Sequence, residues 1–276
     1  MNCYICEQPA VGQCRECLRF YCSEHGSVYC ERCMPSHVEQ SLRSIDSFHL
    51  HGAWENEART RAELIEFGMT AVPSLIKALD SDELRYHSLN VLYLIWLRFC
   101  GIIAMPDSRC DPEKMRTFAV SVSPTLTRLI QSHPGYAEGF ATACLLSAIE
   151  YESCGGEDVG ATQAIVSALQ DDSPNAEQTV CGILAGLGVA TSLILASHRL
   201  RQPLAKQLIT LLNHPSAEVQ ASAHKTLQRF AEGFHFRFGE GFLFNDPSID
   251  SAIEEFGRRN TSSGKPKNSR RWWRKR

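Results

Sequence analysis

Cysteine spacing constrains this chain more than any other feature in it. Seven of its twelve cysteines fall within the first 33 residues, in the order Cys3-x2-Cys6, Cys14-x2-Cys17, Cys22-x2-His25 and Cys30-x2-Cys33, with His37 following. A C-x2-C pair on a tight turn places two thiolates on one tetrahedral ion, so four such pairs supply the eight ligands of two structural zinc ions. Interleaved wiring puts Cys3, Cys6, Cys22 and His25 on one ion and Cys14, Cys17, Cys30 and Cys33 on the other. Adjacent pairing also satisfies the spacing, and His37 is an alternative eighth ligand in place of Cys33. The apolar side chains between the ligands are few: Tyr4, Ile5, Ala10, Val11, Leu18, Phe20, Tyr21, Val28 and Tyr29. So little apolar surface does not fold a unit of this size unaided. Metal binding there would supply folding free energy, not a site of chemistry. Disulfides are the competing use of these cysteines and need an oxidising compartment. The opening MNCYICEQPA lacks a basic stretch followed by an apolar run, and seven is an odd number. The expected location is therefore cytoplasmic, with the nucleus open, and not secreted.

The eight residues Cys3, Cys6, Cys14, Cys17, Cys22, His25, Cys30 and Cys33, with the central run CRECLRFYCSEH, resemble a B-box zinc finger. That family holds two zincs in a cross-brace, and the resemblance implies protein–protein contact, often beside a ubiquitin-ligase RING. The family usually ends its second site with histidines where Cys30, Cys33 and His37 stand here, so other two-zinc treble-clef modules stay open. No RING cysteine set follows His37, and ligase activity is not implied.

Beyond residue 38 the pattern turns helical. A linker helix is expected over 39–50 and a short amphipathic helix over 56–67, with Ala58, Ala62, Ile65 and Phe67 on its apolar side and Gly68 ending it. The chain then repeats. Ala71–Ile95, Ser123–Ile149, Ala161–Leu187 and Pro203–Ala231 each read as an apolar helix, a polar turn and a second helix rich in small residues. The last apolar residue before each turn is Leu79, Ile130, Leu169 and Leu212, at separations of about 51, 39 and 43 residues, the last two near a HEAT or armadillo period. A loop near Gly101 to Met115 lengthens the first. Over roughly Pro73 to Ala231 the sequence resembles a HEAT-repeat protein. The expected fold is mostly α: an α-solenoid of HEAT-like helical hairpins over 71–232, behind a two-zinc domain at 1–38 and linker helices at 39–70. Small residues at Ala141, Ala143, Ala185, Gly186, Ala221 and Ala223 are expected to let second helices pack closely. Cys144 and Cys181 read as small buried hydrophobes. The longest apolar run, CGILAGLGVATSLILA, is shorter than a membrane span and contains Gly and Thr.

The C-terminal part divides in two. In 233–257, Phe234, Phe236 and Phe238 alternate before Gly239-Glu240-Gly241, then Phe242 and Phe244, which predicts a hairpin or extended cap over the last repeat. A short helix from Pro247 through Phe256 follows. The segment 258–276 is expected to be a disordered basic tail: it holds nine of the 28 Lys and Arg and no acid. The rest of the chain is strongly acidic, a contrast that the net charge of −3 conceals. Arg270, Arg271, Trp272, Trp273, Arg274, Lys275 and Arg276 suit weak contact with an anionic membrane or with nucleic acid, or no partner at all. Two functions remain in view. One is a non-enzymatic adaptor that binds a protein partner through the zinc module and the repeat surface. The other is a HEAT-like nucleic-acid-binding protein, including the DNA glycosylases that cradle a duplex on a concave face. The repeats carry few cations for that face (Lys77, Arg85, Arg98, Arg128, Arg199, Arg201, Lys206, Lys225 and Arg229) among many acids, which favours the adaptor.

Overall fold

The computed structural model describes residues 1–23, 28–50, 53–101, 111–132, 134–152, 160–173, 175–191, 194, 198–237 and 247–262. Two short strands, β1 (Gly12–Gln13) and β2 (Phe20–Tyr21), pair antiparallel in the cysteine-rich module. Eleven helices follow among the described residues: α1 (Met34–Leu50), α2 (Trp54–Phe67), α3 (Val72–Ala78), α4 (Asp82–Phe99), α5 (Pro112–Gln131), α6 (Tyr136–Glu152), α7 (Ala161–Leu169), α8 (Glu177–Val189), α9 (His198–Leu211), α10 (Ala217–Arg237) and α11 (Pro247–Ser262).

The helices stack in two rows. Odd-numbered α1, α3, α5, α7 and α9 pack each on the next, as do even-numbered α2, α4, α6, α8 and α10, and each odd helix packs on the even one that follows it. The result is a solenoid-like array of helix pairs around one continuous apolar core that runs from Met34 to Ile249. The residues 39–70, expected as a linker, supply a helix pair of this array: α1 lies against α3, and α2 against α4. Leu79, Ile130, Leu169 and Leu212 are all buried where the odd helices reach their turns.

Local chemistry sets the ends. Asp111 caps α5 by accepting from the Lys114 N–H at 3.1 Å, with Pro112 in the first turn. Gly68 ends α2 at φ +53°, in the left-handed region that glycine enters without a Cβ penalty. Arg98 on α4 donates to the Ile65 and Glu66 carbonyls at 2.7 and 3.1 Å, joining the Gly68 N–H that also donates to Ile65 at that same end. On α2, Leu64, Ile65 and Phe67 are buried, but Ala58 faces out. Glu57 takes the inward position, bridged to Arg61 at 2.7 Å.

Helices α6 and α8 approach most closely. A Cβ at Gly182 would overlap the Tyr136 carbonyl oxygen, and one at Gly186 would sit 2.6 Å from that of Phe140. Ala141, Ala143 and Ala223 are buried as the small-residue pattern implies, whereas Ala221 is exposed. Polar links tie neighbouring pairs: the Gly135 N–H donates to Thr179 Oγ1 at 3.1 Å, and Thr226 Oγ1 donates to the Leu184 carbonyl at 2.9 Å. The alternating-strand expectation fails over 233–237, which continue helix α10. Favourable helix geometry carried on from the last repeat outweighs the period-2 aromatics. Phe238, Phe242 and Phe244 lie outside the described residues. The end of the array is covered by α11, which begins within the span 233–257 expected as a cap; its Ile249 is buried and its Ala252, Ile253 and Phe256 pack against the core. Helix α11 also takes in Arg258 and Arg259, so the first five residues expected in a disordered tail are helical.

Candidate metal centres

The module is built from two knuckles of the same design. In the first, the Cys3 N–H donates to the Gln8 carbonyl at 2.8 Å and the Glu7 N–H to the Cys3 carbonyl at 3.2 Å. In the second, the Cys14 N–H donates to Arg19 at 2.8 Å and the Leu18 N–H to Cys14 at 3.0 Å. The residue after the second cysteine of each, Glu7 and Leu18, sits at φ 60°. This is a costly conformation for side-chain-bearing residues, and it folds each C-x2-C pair so that both sulfurs face one point. The strand pairing Gly12↔Tyr21 and Gln13↔Phe20 joins the knuckles, and Cys22 follows directly after β2. The last pair uses a helix start: the Cys33 and Met34 N–H groups both donate to the Cys30 carbonyl, at 2.9 and 3.0 Å, as α1 begins.

Two groups of sulfurs result. Cys14, Cys17, Cys30 and Cys33 lie within 4.8 Å of one another, and so do Cys3, Cys6 and Cys22. Within them, Cys17 and Cys30 lie 3.6 Å apart, as do Cys6 and Cys22, too far for a disulfide. The structure thus assembles the interleaved arrangement and not the adjacent one. His25, the expected fourth member of the first group, lies outside the described residues, as do Arg270, Arg271, Trp272, Trp273, Arg274, Lys275 and Arg276 in the tail.

Four thiolates at these separations repel one another unless a cation is shared among them. Burial opposes ionisation of Cys14, but backbone N–H groups of Cys17, Cys30 and Glu16 overcome it and bring its thiol down to about 6. Burial and the neighbouring sulfurs push Cys33 strongly upward. A divalent ion removes that conflict by deprotonating every ligand. The donor set suits it: four soft sulfurs converging on one point fit a tetrahedral, thiolate-preferring metal.

His37 is not among these sulfurs. Its ring stacks on Tyr29 (centroids 3.9 Å apart) and meets Phe67 edge-on at 5.6 Å, with Ser41 Oγ at 3.4 Å and Glu63 Oε1 at 3.7 Å from Nε2. Burial holds its pKa below the usual histidine value. Sequence spacing offered no sign that Tyr29, His37 and Phe67 form a seam between module and array, since the contact depends on how α2 folds back.

Elsewhere, several cations of the array are engaged. Arg85 donates to the Leu79 carbonyl and pairs with Asp82 at 2.6 Å, Arg128 lies 3.8 Å from Asp80, and Arg43 bridges Glu39 and Glu83. No helix among the described residues is long and apolar enough to cross a membrane. No protein-family model, no curated protein and no solved structure matches the chain. The assignment therefore rests on geometry: a small cysteine-rich module with two candidate metal centres, joined to a stacked helical array.

Proposed function

We propose that this chain is a non-enzymatic adaptor in which a B-box-like module, folded around two structural zinc ions, and a HEAT-like helical array present surfaces to a protein partner. The observation that carries this reading is the closed sulfur cage of Cys14, Cys17, Cys30 and Cys33. Four protein ligands fill a tetrahedral ion and leave no position for water or substrate, as in structural and unlike catalytic zinc sites. The first ion takes Cys3, Cys6 and Cys22, with His25 as its fourth ligand. Ile5, Val11 and Leu18 stand exposed on the module, apolar surface suited to a protein contact. The engagement of Arg43, Arg85 and Arg128 with acids favours this reading over a duplex-binding face, which needs cations directed at phosphates. The basic tail adds weak, salt-sensitive attraction to anionic membrane or nucleic acid.

Truncation after Ser262 keeps α11 and removes most of the tail. Full-length protein and residues 1–262 are compared for binding to duplex DNA and anionic vesicles at about 150 mM salt, where contacts to phosphates are already weakened. The adaptor reading expects the truncated chain to bind neither. Retained duplex binding by residues 1–262 overturns it.

A further inference from the structure

The two cysteine groups relate differently to the helices. Cys14, Cys30 and Cys33 form a small apolar cluster with Tyr21, and Tyr29 packs both against that cluster and against the long core of the array. Val28 packs on the array core as well, and its carbonyl accepts from the Arg15 N–H of the second knuckle at 3.2 Å. Cys33 leads without a break into α1, where Met34 is buried in the array core and the His37 N–H donates to the Cys33 carbonyl at 3.1 Å. The seam closes on α2 through Phe67, edge-on to both Tyr29 (5.7 Å) and His37. Among the described residues, Cys3, Cys6 and Cys22 enter neither apolar cluster; the first knuckle touches the small cluster through Tyr4 but does not reach the array core, and it carries the exposed Ile5.

We infer that the two metal centres have separate jobs: the ion at Cys14, Cys17, Cys30 and Cys33 closes the open N-terminal end of the helical array, and the ion at Cys3, Cys6 and Cys22 shapes the outward knuckle, which reaches the small cluster through Tyr4 but not the array core. This inference rests on the zinc reading above. The first pair of a stacked array has no preceding neighbour to cover it. Here Val28, Tyr29 and Met34 reach that end, and all three lie within five residues of the cage cysteine Cys30 or Cys33. Losing the second ion frees these residues and with them the seating of α1 and α2. Removing the second ion therefore uncovers the face of Phe67 on which Tyr29 lies, which makes metal occupancy a control on that end of the array.

Hydrogen exchange on zinc-loaded full-length protein, with metal counted per chain, provides the test. Cys17→Ser should lose one ion and speed amide exchange in α1 and α2 by at least about tenfold, while α6 and α8 keep the parent rates. Cys6→Ser should lose one ion and leave α1 and α2 unchanged. Tyr29→Ala, which removes no ligand, should keep both ions and still speed exchange in α1 and α2. Parent-like exchange in α1 and α2 of both Cys17→Ser and Tyr29→Ala, or equal effects of Cys6→Ser and Cys17→Ser, overturns the inference and leaves the zinc reading standing. A parent chain that carries no metal overturns both.

Discussion

At the scale of single residues, the neighbours of a buried cysteine separate those that can meet a metal, which have other sulfurs within reach, from those shut in among helices. Cys144 lies inside the α6–α8 contact with its thiol 3.5 Å from the Gly186 carbonyl, and burial pushes it up to about 12. The thiolate is the nucleophile, and both its population and its access are suppressed there. Alkylation of the native protein with iodoacetamide should leave Cys144 unmodified by mass spectrometry, and label it once the chain is unfolded. Labelling of Cys144 at a rate near that of the unfolded chain would show that the α6–α8 contact opens. Composition placed Cys144 and Cys181 in the core as small hydrophobes, and both are buried. Spacing was equally informative for the C-x2-C pairs, because two ligands three positions apart on a turn are a local arrangement. His37 was ambiguous for the opposite reason: its partners come from two separate stretches of chain, Tyr29 from the module and Glu63 and Phe67 from α2.

Element by element, close approach explains where small residues matter. Gly182 and Gly186 bring α8 against the backbone of α6, and the blocking atoms are carbonyl oxygens that cannot swing aside. Gly182→Ala should therefore destabilise the protein by roughly 1–3 kcal/mol or more, the usual cost of overpacking. Gly188 on the same helix is the control. A Cβ there would meet the end of the Arg229 side chain, which can move. Gly188→Ala should be neutral or stabilising by up to about 1 kcal/mol, since alanine is the better helix former. Denaturant midpoints for the two variants test this, and equal costs would refute the distinction. The same reasoning shows what periodicity could and could not convey. It marked the helix pairs and the buried Leu79, Ile130, Leu169 and Leu212 before each turn. It also assigned Ala58 and Ala221 inward, and both are exposed. A small apolar residue is tolerated on either face of a helix, so its identity carries little information about facing. The run of alternating phenylalanines misled more strongly. The residues from Gly233 to Arg237 follow sixteen already in helix α10, and propagating a helix is easier than starting a strand.

Over the whole molecule, both ends of the array need cover. At the far end α11 lies on α9 and α10, held by Ile249, Ala252, Ile253 and Phe256 and by Arg259, which donates to Asn213 Oδ1 at 2.8 Å. A chain ending at Asn245 should bare the surface that Ile249, Ala252, Ile253 and Phe256 cover, and so aggregate on mild heating while the full chain stays in solution. Light scattering during a thermal ramp decides the matter, and matched curves would mean that α11 is not the cap. With the cysteine module at the near end and α11 at the far end, the array is bounded on both sides by elements outside the four repeats seen in sequence.

The division between what was readable and what was not follows from range. Ligand pairs, helix-pair periodicity and the charge contrast of the tail are set by neighbours within a few dozen residues, and the amino-acid order alone is enough to see them. Three outcomes depended on contacts across the fold: the gathering of Cys14 and Cys17 with Cys30 and Cys33, the enrolment of α1 and α2 in the two rows, and the position of Tyr29 between two apolar clusters. Each joins segments whose separation in sequence says nothing about their distance in space. Only the packing of α1 and α2 against α3 and α4 brings Phe67 to Tyr29, and that packing is what makes the module part of the array.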